Sequence, residues 1–395
     1  MHLARIKFKD IEQMPQLKIN QNFKQQFQGS APAPFIGRFG YPNVNLGILS
    51  PQFTGEMEQY DSPRLWAKNN FGIGEIAANR YSLVNSRSIA SVKQLTGKFL
   101  QIAQEVGMAK TASEVEIALK KPPQLSLKPE KEIIPFGPGS EMQTARITAN
   151  TIVDSRVEKA VRDTDLRAAQ AIIDLYKKGF EENTLTKLIS VGHLGLKNNR
   201  KLVPTRWSIT AVDDIVGKQL IEEVKQYSVG DYQLYFGGAW GNYYLILFLP
   251  EVWSYELFET YLLSPVNPWS KRGYAYSTDY EGYPGRKDYA EETAGGYYAA
   301  RLSALEKMKE NQRQYSCLAL RFITNEYNIP LGVWVCREAA RKSAQDKPLQ
   351  FSSQELMLAY AKTFIKHKFS FDLNLLLKES QLLQNKKQQL KLTQF

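Results

Sequence analysis

Residues 231–249, DYQLYFGGAWGNYYLILFL, decide what kind of fold this chain can adopt. Aromatic and aliphatic side chains alternate on both sides of Gly237-Gly238 and Gly241-Asn242, which reads as two strands joined by a glycine-rich turn. The GGAWGN turn could cradle a phosphate with bare backbone N–H groups. No helix N-terminus follows it, so a hairpin turn is the better reading.

Working outward, strand patterns recur at Tyr315–Thr324 and at Leu331–Cys336, the second running into a helical stretch at 337–341. Ser352 and Glu355 form a capping box that opens a helix to about Lys366, and from Phe371 onward Leu373, Leu376, Leu377, Leu382 and Leu383 share a broad apolar helical face. Upstream, Ser155 and Glu158 form a second capping box. Apolar positions from Val157 to Tyr176 and a C-terminal Gly179 predict one helix over 155–178. Asp61-Ser62-Pro63 opens a short helix through Trp66, and another runs near Ile73–Tyr81. Ala31-Pro32-Ala33-Pro34 excludes helix, and Gly37, Gly40 and Gly47 with Pro42 and Pro51 mark turns between short strands in 35–51.

These patterns give an α+β fold with a mixed or antiparallel sheet core, flanking helices and a flexible C-terminal peptide. The expected organisation is a polar segment at 1–34, a core at 35–345, C-terminal helices at 346–384 and a tail at 385–395. Five prolines between residues 120 and 140 mark a linker or a surface loop.

The chain has 395 residues and a formal net charge of +11, with 43% hydrophobic and 23% charged residues, so dominant disorder is excluded. The longest apolar run, Tyr243–Leu249, is far short of a membrane span, and charged residues interrupt the N-terminus where a signal would need an apolar stretch. A cytoplasmic location without membrane contact is expected. Cys317 and Cys336 are too few for a disulfide scaffold or a thiolate zinc site, and His2, His193 and His367 are scattered. No metal site is expected and no cofactor can be read. Both cysteines sit in apolar contexts and read as buried structural thiols.

The basic excess invites an anionic partner. The tips of the 35–51 turns offer Arg38, Asn43 and Asn45 for ligand contact. In VPTRWSITAVDD (203–214), Arg206 offers a planar fork, Ser208 and Thr210 offer hydroxyls on one strand face, and Asp213 with Asp214 could accept from a sugar or hold a cation. The alternative is that the aspartates cap a helix running through Ile221. The segment 265–298 interleaves Trp269, Tyr274, Tyr276, Tyr280, Tyr283 and Tyr289 with Lys271, Arg272, Arg286 and Lys287, and reads as a long irregular stretch. It either stacks bases and pairs phosphates or packs its tyrosines onto its own domain. At the end of the chain, Gln389, Leu392 and Phe395 are spaced so that in a 3₁₀ turn the last two project together as an apolar plug for a partner. They could also fold back on the preceding helix.

Several strings together resemble the archaeal Nre family of DNA-repair proteins. They are GRFGYPNVNLG (37–47), DSPRLW (61–66), SLVN (82–85), VPTRWSITAVDD (203–214), DYEGYPGRKDYA (279–290), GGYYAARLSALE (295–306) and PLGVWVCREAAR (330–341). The resemblance implies that Gln389, Leu392 and Phe395 form a motif that docks on the sliding clamp PCNA, and that the core binds DNA or nucleotide. The motif ends in one aromatic where the fuller pattern has two. Many family members carry cysteine-rich, zinc-finger-like residues near the N-terminus; this chain has no cysteine before Cys317, so zinc is not carried over. The expected function is a clamp-associated DNA-repair factor. The alternative is an enzyme acting on a nucleotide or nucleic-acid phosphate, with Arg38, Arg206 and Arg286 as anion clamps.

Overall fold

A computed structural model describes residues 3–7, 22–93, 96–124, 133–263 and 273–388, with the side chains of 387 and 388 excepted. The chain divides into two compact units. One comprises Gln13–Val216 with Ile329–Val333; the other comprises Met1–Glu12, Gly217–Asn328 and Trp334–Phe395. The first strand, β1 (Leu3–Arg5), belongs to the second of these.

The first unit begins with β2 (Gln26–Ala31), β3 (Ala33–Ile36) and β4 (Asn43–Ser50), then α1 (Pro63–Lys68), α2 (Ile73–Tyr81) and β5 (Val84–Ser91). It continues with α3 (Lys98–Met108), β6 (Ser113–Leu119) and β7 (Gly139–Ile147), and ends in the helices α4 (Ser155–Arg162), α5 (Ala168–Lys177), α6 (Glu182–Ser190) and the start of α7 (Thr205–Val224). Its six strands are ordered β2-β6-β7-β5-β4-β3, with β5 and β7 parallel and the other pairs antiparallel. Strand alternation sets the core. Val44, Leu46 and Ile48 of β4 and Val115, Ile117 and Leu119 of β6 are buried with Leu100, Ala103 and Val106 of α3, which recur at helical spacing. Asn43, Asn45 and Gly47 therefore fall on the opposite face of β4. The proline-rich stretch connects β6 to β7, strands that pair with each other, and its described part packs inward, with Phe136 against Phe35 at 4.5 Å between centroids.

Two expectations fail here. The helix expected over 155–178 is two helices. Asp163 Oδ1 accepts hydrogen bonds from the backbone N–H groups of Asp165 and Leu166, both at 3.0 Å, a local turn that competes with helical pairing, and α5 starts afresh at Ala168. The N-cap of α4 is Asp154, which accepts from the Arg156 N–H at 2.9 Å, one residue before the serine of the presumed box. The second failure is VPTRWSITAVDD. It contains no strand: residues 205–214 form the N-terminal half of α7. Ser208, Val212 and Val216 are buried at four-residue spacing, and Asp213 and Asp214 sit mid-helix instead of at the helix N-cap.

The second unit contains β8 (Tyr232–Ala239), β9 (Asn242–Leu249), β10 (Ser254–Tyr261), β11 (Tyr274–Glu281), α8 (Gly295–Asn311), β12 (Ser316–Ile323) and α9 (Trp334–Ser343). They are followed by β13 (Leu349–Phe351), α10 (Gln354–Phe369), α11 (Asn374–Leu377) and α12 (Gln381–Gln388). The seven strands are ordered β1-β11-β10-β12-β9-β8-β13, with β1/β11 and β10/β12 parallel. The β8–β9 hairpin turns on Trp240 (φ 53) and Gly241 (φ 68), between the paired residues Ala239 and Asn242. Positive φ at both central positions is the two-residue turn that matches strand twist. A Cβ at Gly241 would collide with the backbone N of Tyr327. Both faces of β9 are covered: Leu245, Leu247 and Leu249 pack with Met357, Ala361 and Ile365 of α10, while α9 packs against the strand from the other side. Burial on both sides is why Tyr243–Leu249 reads as an unbroken apolar run.

Three further expectations are corrected. Leu331–Cys336 is not a strand; Trp334 already begins α9, and because residues 334–340 are buried all round, no periodicity separated helix from strand. The cap of α10 is Ser353, whose Oγ accepts from the Leu356 N–H at 3.3 Å, one residue later than expected, and the helix extends to Phe369. The segment 265–298 is not irregular throughout. Residues 275–281 pair with β10 and α8 begins at Gly295; residues 264–272 lie outside the described part.

A candidate nucleic-acid interface

In the first unit, three chain segments meet at the end of the β3–β4–β5 sheet. After β3 the chain turns through 37–42. The Gly37 N–H donates to Asn45 O at 2.8 Å, and the Asn43 N–H donates to Gly40 O at 2.9 Å, with Gly40 at φ 82. The end of β5 is tied to this turn by the Val92 N–H, which donates to Pro42 O at 2.9 Å. The segment before α7 joins through the Leu202 N–H, which donates to Val92 O at 2.9 Å. Thr205 Oγ1 accepts from the Ile36 N–H at 2.9 Å, which pins the first turn of α7 to the end of β3.

This framework holds large rings in solvent. Phe39 is 65% exposed, Tyr41 47% and Trp207 46%. The Tyr41 and Trp207 rings lie 5.4 Å apart at 52°, and the Arg38 guanidinium sits 4.6 Å over the Phe39 ring. Across the adjacent strands Asn45 is paired with Ile89, itself 69% exposed, and Asn43 with Ser91. A bare Gly37 stands beside Asn45 on this face, where a Cβ would meet the asparagine Cβ at 3.2 Å.

All three segments contribute basic residues. Residues 36–45, 86–93 and 197–212 carry Arg38; Arg87 and Lys93; and Lys197, Arg200, Lys201 and Arg206, with no Asp or Glu among them. The Arg200 guanidinium is committed to the carbonyls of Gly195, Val161 and Asp163 at 2.8–2.9 Å, so it braces the segment. Arg87, Lys93, Lys197 and Lys201 are exposed. The 20-residue α7 also presents its N-terminus here, adding the positive end of its dipole.

The structure thus brings Arg38, Asn43, Asn45 and Arg206 into one region. Ser208 is buried in α7 and donates to Val203 O at 3.4 Å, Asp213 is buried on the same helix, and Thr210 is half-buried. Tyr280, Arg286 and Lys287 lie in the second unit. Tyr280 is on β11 and packs against the core along with Tyr274 and Tyr276, three rings on one strand face. Arg286 donates to Tyr280 O at 2.9 Å and Tyr289 O at 3.2 Å, pairs with Asp279 at 3.1 Å and lies 5.2 Å over the Tyr297 ring. Its guanidinium therefore closes the 282–289 loop. Lys287 is exposed beside it. Arg272, Gln389, Leu392 and Phe395 fall outside the described residues.

Sequence reading missed Phe39, Tyr41, Ile89 and Lys93 as members of this surface. The available signal was the pair of aromatic rings in G-R-F-G-Y-P, at turn positions where small polar residues are usual. Other chemistry is less supported. Burial pushes the Cys336 thiol up to about 11 and the Cys317 thiol up as well, so neither is a thiolate nucleophile at neutral pH. Among the described residues no three His, Cys, Asp or Glu side chains gather into a metal site, and no helix is long and apolar enough to cross a membrane.

With this geometry in view, the comparisons are specific. The archaeal Nre N-terminal family pattern matches residues 7–270 and the archaeal Nre C-terminal pattern matches residues 281–395. The chain belongs to the archaeal Nre family. It is 35% identical over 350 residues to the DNA repair protein NreB of Archaeoglobus fulgidus, covering 88% of this chain and 87% of that one. It is 36% identical over 325 residues to the DNA repair protein NreA of Haloferax volcanii, covering 80% and 77% respectively. No solved structure matches the chain.

Proposed function

We propose that this chain is a DNA-repair factor that binds DNA through the face carrying Arg38, Asn43, Asn45 and Arg206 and docks on the PCNA clamp through Gln389, Leu392 and Phe395. The repair role rests on family membership and on the names of its relatives. The observation that carries DNA binding is the convergence, at exposed rings, of three segments that carry basic and no acidic residues over 36–45, 86–93 and 197–212. Phosphates would pair with the cations, and the asparagines would offer polar contacts to sugar or base edges. For the tail, the support is its motif spacing together with Lys387 just before it, a cation suited to an acidic clamp surface, whereas Lys386 pairs with Glu251 at 3.1 Å within its own unit.

Two measurements test this. Fluorescence anisotropy with labelled DNA should show binding that weakens as salt rises; no binding at low salt would refute the core reading. A chain lacking residues 389–395 should keep its circular dichroism and lose PCNA in a calorimetric titration. Unchanged titration would refute the tail reading.

A further inference from the structure

We propose that the face built by the 37–43 turn, the end of β5 and the start of α7 takes single-stranded DNA, with unpaired bases stacked on Phe39, Tyr41 and Trp207. The proposal rests on the reading that this face binds DNA, and it specifies the form of DNA. A face that bound only the duplex backbone would need cations and hydrogen-bond donors, because bases inside a duplex are already stacked on each other and present no ring faces outward. Here basic residues neighbour, along the converging segments, three large rings that remain 65%, 47% and 46% exposed, with Arg38 directly over Phe39.

Two of the rings are also held. Tyr41 is fixed by the Pro42 carbonyl bonded to Val92 and by its contact with Trp207, and Trp207 stands in the first turn of a helix anchored through Thr205 to Ile36. Rings that are ordered before a ligand arrives lose little conformational freedom on stacking. The Tyr41 and Trp207 rings are inclined at 52°, so they cannot both face a single flat base. They suit successive nucleotides of a strand that bends between them. Around them Arg38, Lys93, Lys201 and Arg206 supply charge for the phosphates of such a strand, and Ile89 adds apolar surface beside Asn45. Stacking of this kind is tolerant of sequence, because every base has a π-face.

The test is anisotropy on the full chain with a labelled oligo-dT and with a blunt duplex of equal length, for the wild type and for Phe39→Ala, Trp207→Ala, Trp207→Phe and the charge variant Lys93→Gln/Lys201→Gln. Thermal melts confirm that each variant is folded. The proposal expects the wild type to prefer oligo-dT. It expects Phe39→Ala and Trp207→Ala each to weaken oligo-dT binding by about fivefold or more with little effect on the duplex, and Trp207→Phe to restore much of it. It also expects the charge variant to weaken both ligands. Oligo-dT binding unchanged in the ring variants, with loss in the charge variant, would overturn stacking while leaving the DNA-binding reading intact. A wild type that prefers duplex would also overturn it. No binding of either DNA by the wild type would overturn the underlying reading and this proposal together.

Discussion

The Glu259 carboxylate occupies the space where any side chain on residue 296 would begin: a Cβ at Gly296 would fall onto Glu259 Oε1 and would stand 3.5 Å from Cys336 Sγ. The first turn of α8 thereby approaches β10 closely enough to bury a carboxylate beside it. Glu259 is in turn paired with Arg321, whose Nε donates to Asn242 Oδ1 at 3.0 Å. Burial raises the Glu259 pKa and the arginine opposes that shift.

Gly296→Ala is expected to destabilise the protein by about 1–3 kcal/mol, since a buried acid held by an ion pair has little room to move aside. Arg321→Met should cost more, about 3–5 kcal/mol, because it leaves Glu259 buried without its counter-charge. Urea denaturation midpoints of the three proteins provide the comparison, with the order wild type, Gly296→Ala, Arg321→Met.

A second buried acid ties the C-terminal helix to the sheet. Glu256 on β10 accepts from Ser380 Oγ at 2.5 Å and from the backbone N–H groups of Gln381 at 2.9 Å and Leu382 at 3.1 Å, the first residues of α12. Glu256→Ala strips three donors of their acceptor and should cost about 2–3 kcal/mol, whereas Glu256→Gln keeps an acceptor oxygen and should cost less. Hydrogen exchange is the sharper readout: amides of 381–388 should exchange faster in Glu256→Ala than those of β9. Equal protection of α12 in wild type and variant would show that this cap is dispensable.

Stability should also depend on pH through His193. Its Nε2 donates to Gln104 O at 2.9 Å, and burial lowers its pKa from the usual 6.5, with Arg200 adding to the effect. Below 6.5 the unfolded chain then binds the proton more readily than the folded one. The His193 contribution is therefore present above pH 6.5 and is lost as pH falls through the depressed value. Melting temperatures between pH 7.5 and 5 should fall less steeply for His193→Gln than for the wild type.

Salt dependence reports on the candidate interface. If Lys93 and Lys201 meet phosphates, Lys93→Gln/Lys201→Gln should reduce the slope of log affinity against log salt by roughly 0.7 per lost contact on single-stranded DNA. An unchanged slope would place the phosphates elsewhere.

Much of the framework could be read from local pattern. The β8–β9 hairpin, β12, α1 and α2 have periodicity or turn residues that leave few alternatives. Errors arose where two patterns coincide. In T-R-W-S-I-T the polar and apolar residues alternate as in a strand, yet Ser208, Val212 and Val216 are the buried set at helical spacing. In L-G-V-W-V-C every position is apolar or small, so neither period is visible until the surrounding elements bury the segment on all sides. The helix break after Arg162 depends on one side chain, Asp163, folding back on two amides.

The sequence by itself determined the α+β class, the buried character of both cysteines and the family, because these follow from residue type, short-range periodicity and long matching strings. It also put Arg38, Asn43, Asn45 and Arg206 forward as binding residues. Only the tertiary structure decided that these four share one region, that Phe39, Tyr41 and Trp207 stand exposed among them, and that Arg286 is committed to its own loop. The physical reason is that these outcomes depend on strand register and on hydrogen bonds between segments up to 169 residues apart, such as Thr205 with Ile36. No local pattern encodes which distant amide a side chain will meet.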